Sequence, residues 1–219
     1  MNKQFDGLFG DRVRGLVAAT TLRLQAIFRK SVHIALAWAM LAASAQASTV
    51  LPLYLDELVA SAAVAFQGTC TANRTELEPQ TGFVVTYTTF TVTDVLKGTV
   101  GSTHTIKQLG GQTEKINYRV EGGTTFAVGG DYVVFLYGVS SAGFSSPVGL
   151  SQGQFTVRQG ANGAELSNGR DFKEMLRPYS AKSLPQGAQN KIQQAPEELK
   201  HFGLDDFKQI VRQQTGGAK

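Results

Sequence analysis

Between residues 64 and 157 the chain alternates runs of β-branched and aromatic residues with glycine-containing breaks, and this pattern favours one fold class. The longest run, 83–96, is dense in Val, Thr, Tyr and Phe and lacks a helical period, which is typical of a strand. Its apolar phase shifts between Tyr87 and Phe90, and such a shift predicts a bulge or a strong bend. Further strands are predicted at 63–71, 103–109, 115–120, 132–137 and 154–158. Strands at this spacing, with no helices between them, favour a small antiparallel barrel or sandwich.

Helical patterns flank this β-rich segment. Residues 53–63 place their larger apolar side chains on one stripe and turn Asp56 and Glu57 away from it, which predicts a short helix. Residues 204–214 predict a second amphipathic helix. The apolar stripe of that helix consists of Leu204, Phe207, Ile210 and Val211. The expected fold is therefore mostly β, a five- to six-stranded antiparallel barrel with a short N-terminal helix and a C-terminal helix.

The stretch between the barrel and the last helix is more polar. The dipeptide Asn162-Gly163 predicts a hairpin turn, because glycine adopts positive φ without strain. Residues 171–176 predict a single helical turn that ends before Pro178. Residues 180–194 have few large apolar side chains and are predicted to be a linker.

The first 47 residues have the order of a secretory signal. Two basic residues stand directly before a short apolar run, and Ala45 and Ala47 match the small-x-small pattern that a signal peptidase cleaves. We therefore expect cleavage before Ser48 and a protein exported to the periplasm or secreted. An uncleaved anchor is the less favoured alternative, because the apolar run is shorter than the roughly 20 residues that span a membrane. The expected organisation is a signal peptide at 1–47, a β-barrel domain with its leading helix at 48–160, and a hairpin, polar linker and C-terminal helix at 161–219.

The basic charge of the chain belongs to this leader. The whole sequence has 21 Lys and Arg against 17 Asp and Glu. The leader holds six of the basic and two of the acidic residues, which leaves fifteen of each from Ser48 onward. A neutral mature chain lacks the basic excess by which proteins bind nucleic acid. We therefore expect no nucleic-acid partner, and no stable membrane anchor after cleavage.

Cysteine and histidine usage argues against a metal centre. The single cysteine, Cys70, excludes an internal disulfide framework and a multi-cysteine zinc site. Its apolar strand neighbours predict a buried thiol, with pairing between chains as the alternative. His104 and His201 lack metal-ligand spacing, and His104 is predicted to face outward from its strand. We expect neither a metal nor a cofactor.

Residues 149–153 match the G-x-S-x-G pattern of serine hydrolases, with Ser151 at the nucleophile position. That motif works on a strand-to-helix turn of a parallel sheet. Here the residues after Ser151 have a strand pattern, and His104 is the one histidine within the predicted barrel. A small hydrolase using Ser151 and His104 is therefore the disfavoured alternative, and no catalytic residues are expected.

Two glycine-flanked turns are the candidate ligand-binding loops. One contains Gln108, Gly110 and Gly111, and the other contains Gln152 and Gly153. Tight barrel corners are the alternative for both, because glycine also occurs where a backbone turns sharply. The first turn lacks the Lys-Ser/Thr pair and the following helix of a phosphate-binding loop. Both turns are thus candidates for contact with a ligand other than a nucleotide phosphate.

A series of short motifs from Leu51 to Val157 resembles a known group. The motifs are LDELVASAAVAFQG at 55–68, YTTFTVTDVLKG at 87–98, IKQLGG at 106–111, FAVGGDYVVFL at 126–136 and VGLSQGQF at 148–155. Their order resembles uncharacterised secreted bacterial proteins, some of them associated with matrixin-type metalloproteases. The strand order is also similar to the OB-like barrel of tissue inhibitors of metalloproteinases. In those inhibitors an N-terminal cysteine chelates the protease zinc, whereas Ser48 takes that position here.

The expected function is that of an exported, non-enzymatic binding or interaction module of the cell envelope or secretome. Its partner is expected to be a protein or a small ligand. The resemblance implies an OB-like barrel and suggests a secreted metalloprotease as the partner. A metalloprotease inhibitor or accessory protein is therefore the alternative function.

Overall fold

The computed structural model describes residues 51–114, 116–195 and 197–216. Its strands are β1 (Val64–Leu77), β2 (Val84–Lys97), β3 (Thr103–Leu109), β4 (Gly111–Gln112), β5 (Asn117–Tyr118), β6 (Asp131–Leu136), β7 (Gln154–Gly160), β8 (Gly163–Ser167) and β9 (Phe202–Gly203). Seven of them form one sheet in the order β3-β2-β1-β6-β7-β8-β9, and β4 pairs with β5. Every pairing is antiparallel, so the prediction of a mostly β, antiparallel fold is confirmed. The predicted signal peptide and its cleavage residues Ala45, Ala47 and Ser48 lie outside the described residues.

Four α-helices accompany the sheet in the described part of the chain. They are α1 (Leu55–Ser61), α2 (Phe172–Met175), α3 (Gln186–Gln194) and α4 (Leu204–Gly216). At the start of α1 the Tyr54 amide donates to the Glu57 carboxylate at 2.7 Å. The Asp171 carboxylate caps α2 by accepting from the Lys173 amide at 3.0 Å. Such bonds satisfy backbone donors that the first helical turn leaves free.

A hydrophobic core lies on each face of the sheet, because successive residues of a strand point to opposite sides. On the central strand β6, Val133 and Phe135 enter the larger core, which also contains the helices and the inner residues of β7, β8 and β9. Tyr132, Val134 and Leu136 enter a smaller core. The smaller core is formed with side chains of β1, β2 and β3 and with Phe126. Because the larger core draws on residues before and after position 160, the hairpin and the C-terminal helix pack as part of it.

The predicted irregularity of the long β1–β2 pair is present. The register shifts where Cys70 pairs with Phe90 but Ala72 pairs with Thr89, so one residue of β1 is extra at that point. Two more shifts occur nearer the other end of the pair. Bulges of this kind increase local twist, which allows two 14-residue strands to curve around the smaller core.

In the C-terminal third one sequence prediction was wrong and one strand was missed. The expected linker at 180–194 contains α3, whose Ala188 is fully buried and whose Lys191 bonds Glu165 of β8 at 2.7 Å. Strand β9 was not predicted at all. A helix that buries one alanine, and a strand of two residues, are both too weakly patterned for periodicity to reveal.

The sheet is open, with β3 and β9 at its edges. Beside the smaller core, a short segment lies between β3 and the end of β6. Its Ser145 amide donates to Lys107 of β3 at 3.0 Å, and its Ser146 carbonyl accepts from the Tyr137 amide at 3.0 Å. Pro147 also forms an isolated bridge with Leu136.

The prediction that His104 faces outward was wrong. Its ring lies edge-on to Phe66 of the smaller core, with centroids 5.4 Å apart. Its Nε2 atom is buried and has no hydrogen-bond partner in the structure. Burial therefore lowers the pKa of His104 below its ordinary value of 6.5, because the charged imidazolium is disfavoured away from water.

The lowered pKa of His104 predicts that the free energy of unfolding decreases in acid. Below about pH 6.5 the unfolded chain binds a proton at His104 while the folded chain does not, so the free energy of unfolding falls as the pH drops toward the folded pKa. One proton limits this slope to about 1.4 kcal/mol per pH unit. Urea unfolding from pH 7.5 to 5 should show a shallower decline for His104→Leu than for the wild type. Thr103→Leu, at an exposed and non-titrating position of the same strand, is the control that should keep the wild-type slope. Equal slopes for His104→Leu and the wild type would contradict the prediction.

Candidate functional site

A polar cleft lies on the outer face of β7 and β8, opposite the larger core. Its volume is about 340 Å³, which is at the lower end of the range for small-molecule sites. The residues that line it are Ser151, Gln154, Thr156, Arg158, Glu165, Ser167, Asn168, Gly169 and His201. All of them are polar except one glycine.

Strand register places these side chains in rows. Thr156 of β7 lies directly opposite Ser167 of β8, and Arg158 lies opposite Glu165. Leu166 pairs with Phe202 of β9, so His201 continues the first row next to Ser167. Because neighbouring strands are about 4.8 Å apart, the first row presents two hydroxyls and an imidazole at regular spacing across the cleft.

The backbone that leads into the cleft has an unusual conformation. Gly149 and Leu150 have φ values of 61° and 62°, and Leu150 is the one non-glycine residue with positive φ in the described structure. That conformation costs an L-residue roughly 1–2 kcal/mol. It starts the 3-10 turn Leu150–Gly153, which brings Ser151 to the cleft. Strain of this kind is found at binding and catalytic sites more often than elsewhere.

The charges around the cleft are unequally paired. Glu165 is bonded to Lys191 at 2.7 Å, and its other carboxylate oxygen lies beside Gly160. Arg158 is exposed and makes no ion pair or side-chain hydrogen bond with any described residue. Among the described residues that line the cleft, Arg158 is therefore a cation without an ion-pair partner, whereas Glu165 is paired with Lys191.

Gln152, a predicted ligand-binding residue, holds the segment before α1 through hydrogen bonds to Leu51 and Leu53. Its side chain is 8% exposed. The amide oxygen accepts from the Leu53 amide at 2.8 Å and from the Arg170 guanidinium at 2.7 Å. The amide nitrogen donates to the Leu51 carbonyl at 3.0 Å. Both polar ends of this side chain are thus occupied within the fold.

Backbone atoms of two neighbouring segments leave no room for a side chain at Gly153. A β-carbon there would lie 2.8 Å from the nitrogen and oxygen of Val148 and 2.9 Å from the oxygen of Phe135. Its own amide donates to the Val148 carbonyl at 2.8 Å. The turn at Gln152 and Gly153 is therefore a tight corner. Its neighbours Ser151 and Gln154, and not the turn residues themselves, line the cleft.

The other predicted turn has a comparable structural role. Gly110 and Gly111 have φ values of 94° and 139°, and a β-carbon on Gly111 would collide with Thr86 and Thr75. Gln108 donates to the Thr124 hydroxyl at 2.9 Å. The loop that contains Thr124 also contacts the start of β7, because its Thr125 carbonyl accepts from the Gln154 side chain at 2.9 Å.

The structure separates the two residues of the hydrolase alternative and places a different histidine near the serine. His104 lies against the smaller core, whereas Ser151 and His201 line the same cleft. No hydrogen bond joins Ser151 to His201 in the described chain. Sequence reasoning missed His201 because it lies beside β9, which carried no strand signal.

The described residues contain no group of three or more His, Cys, Asp or Glu side chains that could bind a metal ion. Cys70 is buried, as predicted, and burial raises the pKa of its thiol. Among the helices that the structure describes, none is both long and apolar enough to cross a bilayer.

Comparison of the chain with protein-family models, with curated proteins and with solved structures finds no match.

Proposed function

We propose that this protein is an exported, non-enzymatic binding module and that its ligand is a small polar molecule held in the cleft on β7 and β8. The observation that carries the proposal is the concentration of polar side chains in one concave site on rigid strands. Sites built on strands hold their contact groups more accurately than sites built on loops. The strained Gly149–Leu150 step at the cleft adds support.

A barrel around the smaller core, beside the strands of the cleft, belongs to the same proposal. Strands β1, β2, β3 and β6 enclose the smaller core, and the bonds of residues 145–147 to β3 and to the end of β6 support closure through a short connecting segment. Closure of this kind is what we propose as the OB-like barrel that the sequence resemblance implies. Export, cleavage before Ser48 and a secreted metalloprotease as partner are supported by the sequence alone and stay predictions.

Filling the cleft tests the proposal. Thr156→Phe places a large side chain in the first row, and phenylalanine is well tolerated in strands. We expect a panel of neutral sugars, amines, carboxylates and phosphates to include compounds that shift the amide resonances of Thr156 and Ser167 in a saturable way. Thr156→Phe should abolish these shifts.

Thr103→Phe is the matched control, because Thr103 is an exposed strand residue on β3, outside the cleft. It should bind as the wild type does. If no compound of the panel produces saturable shifts at the cleft, or if the two variants lose binding equally, the cleft is not the ligand site.

A further inference from the structure

The charge arrangement of the cleft points to the chemistry of its ligand. We infer that the ligand is an anion, a small molecule bearing a carboxylate or phosphate group that Arg158 binds through its guanidinium. This inference rests on the proposed function and names the ligand class for the same site.

The other ligand classes fit less well. No aromatic side chain except the imidazole of His201 lines the cleft, so a sugar ring would find no stacking surface. An apolar ligand would meet only polar groups and one glycine. A cation would meet Glu165, but that carboxylate already pairs with Lys191 at 2.7 Å.

An anion matches the donors that are free. A guanidinium offers paired N–H groups whose spacing suits two oxygens of one carboxylate or phosphate. Arg158 is available for this because Glu165, directly opposite on β8, is turned toward Lys191 and Gly160. The hydroxyls of Thr156 and Ser167, one row away, are donors for the oxygens that the guanidinium does not reach.

The acidic side chains nearest to this cation do not cancel it. Asp206 of α4 lies near Gly203 and Lys191, on the far side of Glu165 from Arg158 in the strand order. Burial is the main influence on Asp206 and raises the pKa of that carboxyl. Lys191 pairs with Glu165 and also acts on the Asp206 carboxylate, whereas Arg158 makes no ion pair with a described residue and is the cation that a ligand can reach.

Titration of the purified protein at constant ionic strength tests the inference. The anionic probes are inorganic phosphate and acetate, and glucose is the neutral probe. Binding of each probe is measured by calorimetry and by the chemical shifts of the cleft amides. We expect saturable binding of at least one anion and none of glucose. Arg158→Ala should weaken anion binding at least about tenfold, since hydrogen bonds to charged groups are strong.

Two further variants make the outcome specific. Arg119 is also exposed and makes no ion pair with a described residue, so Arg119→Ala should stay within about twofold of the wild type if the effect is local and not one of net charge. Arg158→Lys keeps the charge but not the planar fork, and its affinity should be intermediate. Stronger binding of phosphate than of acetate assigns a phosphorylated ligand, and the reverse order assigns a carboxylate.

The negative outcomes separate the inference from the proposed function. Neutral compounds that bind in the cleft, together with unchanged anion binding in Arg158→Ala, would overturn the anionic ligand and leave a binding module. Equal losses in Arg158→Ala and Arg119→Ala would also overturn it. Absence of every kind of binding would overturn both.

Discussion

Replacing Gln152 with alanine is expected to lower the free energy of unfolding by about 2–4 kcal/mol. The change removes the acceptor of the Leu53 amide and of the Arg170 guanidinium and the donor to the Leu51 carbonyl. Leaving a buried donor without a partner costs more than the bond itself contributes. Arg170 is partly buried, so that burial lowers the pKa of its guanidinium, and it would keep only its bond to the Leu53 carbonyl. Urea unfolding followed by circular dichroism measures the loss.

Two further variants, Gln159→Ala and Gln152→Glu, show whether the lost hydrogen bonds of Gln152 cause the loss of stability. Gln159→Ala changes an exposed residue of β7 and should stay within about 0.5 kcal/mol of the wild type. Gln152→Glu keeps an acceptor for Leu53 and Arg170 but loses the donor to Leu51, so its loss should be smaller than that of alanine. A loss below about 1 kcal/mol for Gln152→Ala would show that the bonds to residues 51–53 contribute little to stability.

Local chemistry made much of the fold predictable. Strand β3 was predicted with its observed bounds, and the apolar stripe of α4 is buried as its helical spacing required. The hairpin turn follows from the local sequence, and Gly163 has the expected positive φ of 112°. These elements were predictable because their side-chain periods and turn residues act within a few positions of the chain.

The cleft was not predictable in the same way. Its first row joins Thr156 of β7, Ser167 of β8 and His201, the residue before β9. The register that aligns them depends on pairing between distant segments. The G-x-S-x-G pattern indicated Ser151, and the hydrolase alternative paired this serine with His104. Sequence alone does not say which face of a curved strand a histidine occupies, so the position of His104 against the smaller core was not predictable. The glycines of the two turns were recognised correctly as special positions. Close packing is what requires glycine there, against backbone atoms at Gly153 and against the side chains of Thr75 and Thr86 at Gly111.

These roles explain how the cleft is held in place. Gln152 and Gly153 fix the 3-10 turn from within, and Ser151 and Gln154 on either side of them face the cleft. Behind the same strand, Phe155 packs on Phe207 of α4 with ring centroids 4.9 Å apart. The position of the polar row therefore depends on the aromatic packing of the opposite face.

Replacing Phe207 with alanine is expected to have the largest effect on stability, a loss of about 3–5 kcal/mol. The ring is fully buried, and besides Phe155 it contacts Phe135 at 6.1 Å and Phe172 at 6.2 Å between centroids. Its removal leaves a cavity among three rings that strands and a short helix hold rigidly, so little collapse is expected. Urea unfolding followed at once by circular dichroism and by tyrosine fluorescence measures both the loss and its cooperativity.

The same experiment decides whether α4 belongs to the cooperative unit. Gln209→Ala, on the exposed side of the same helix, should change stability by less than about 0.5 kcal/mol, and Phe207→Leu should lose less than Phe207→Ala because it refills part of the cavity. If α4 packs as an integral part of the larger core, Phe207→Ala unfolds in a single transition at a lower urea concentration than the wild type. Circular dichroism and tyrosine fluorescence then give the same midpoint. A separate early transition in the helical signal, with the sheet unfolding at the wild-type urea concentration, would make α4 an independent appendage. The cleft, which lies on the opposite face of β7 from Phe207, would then keep its ligand affinity in the variant.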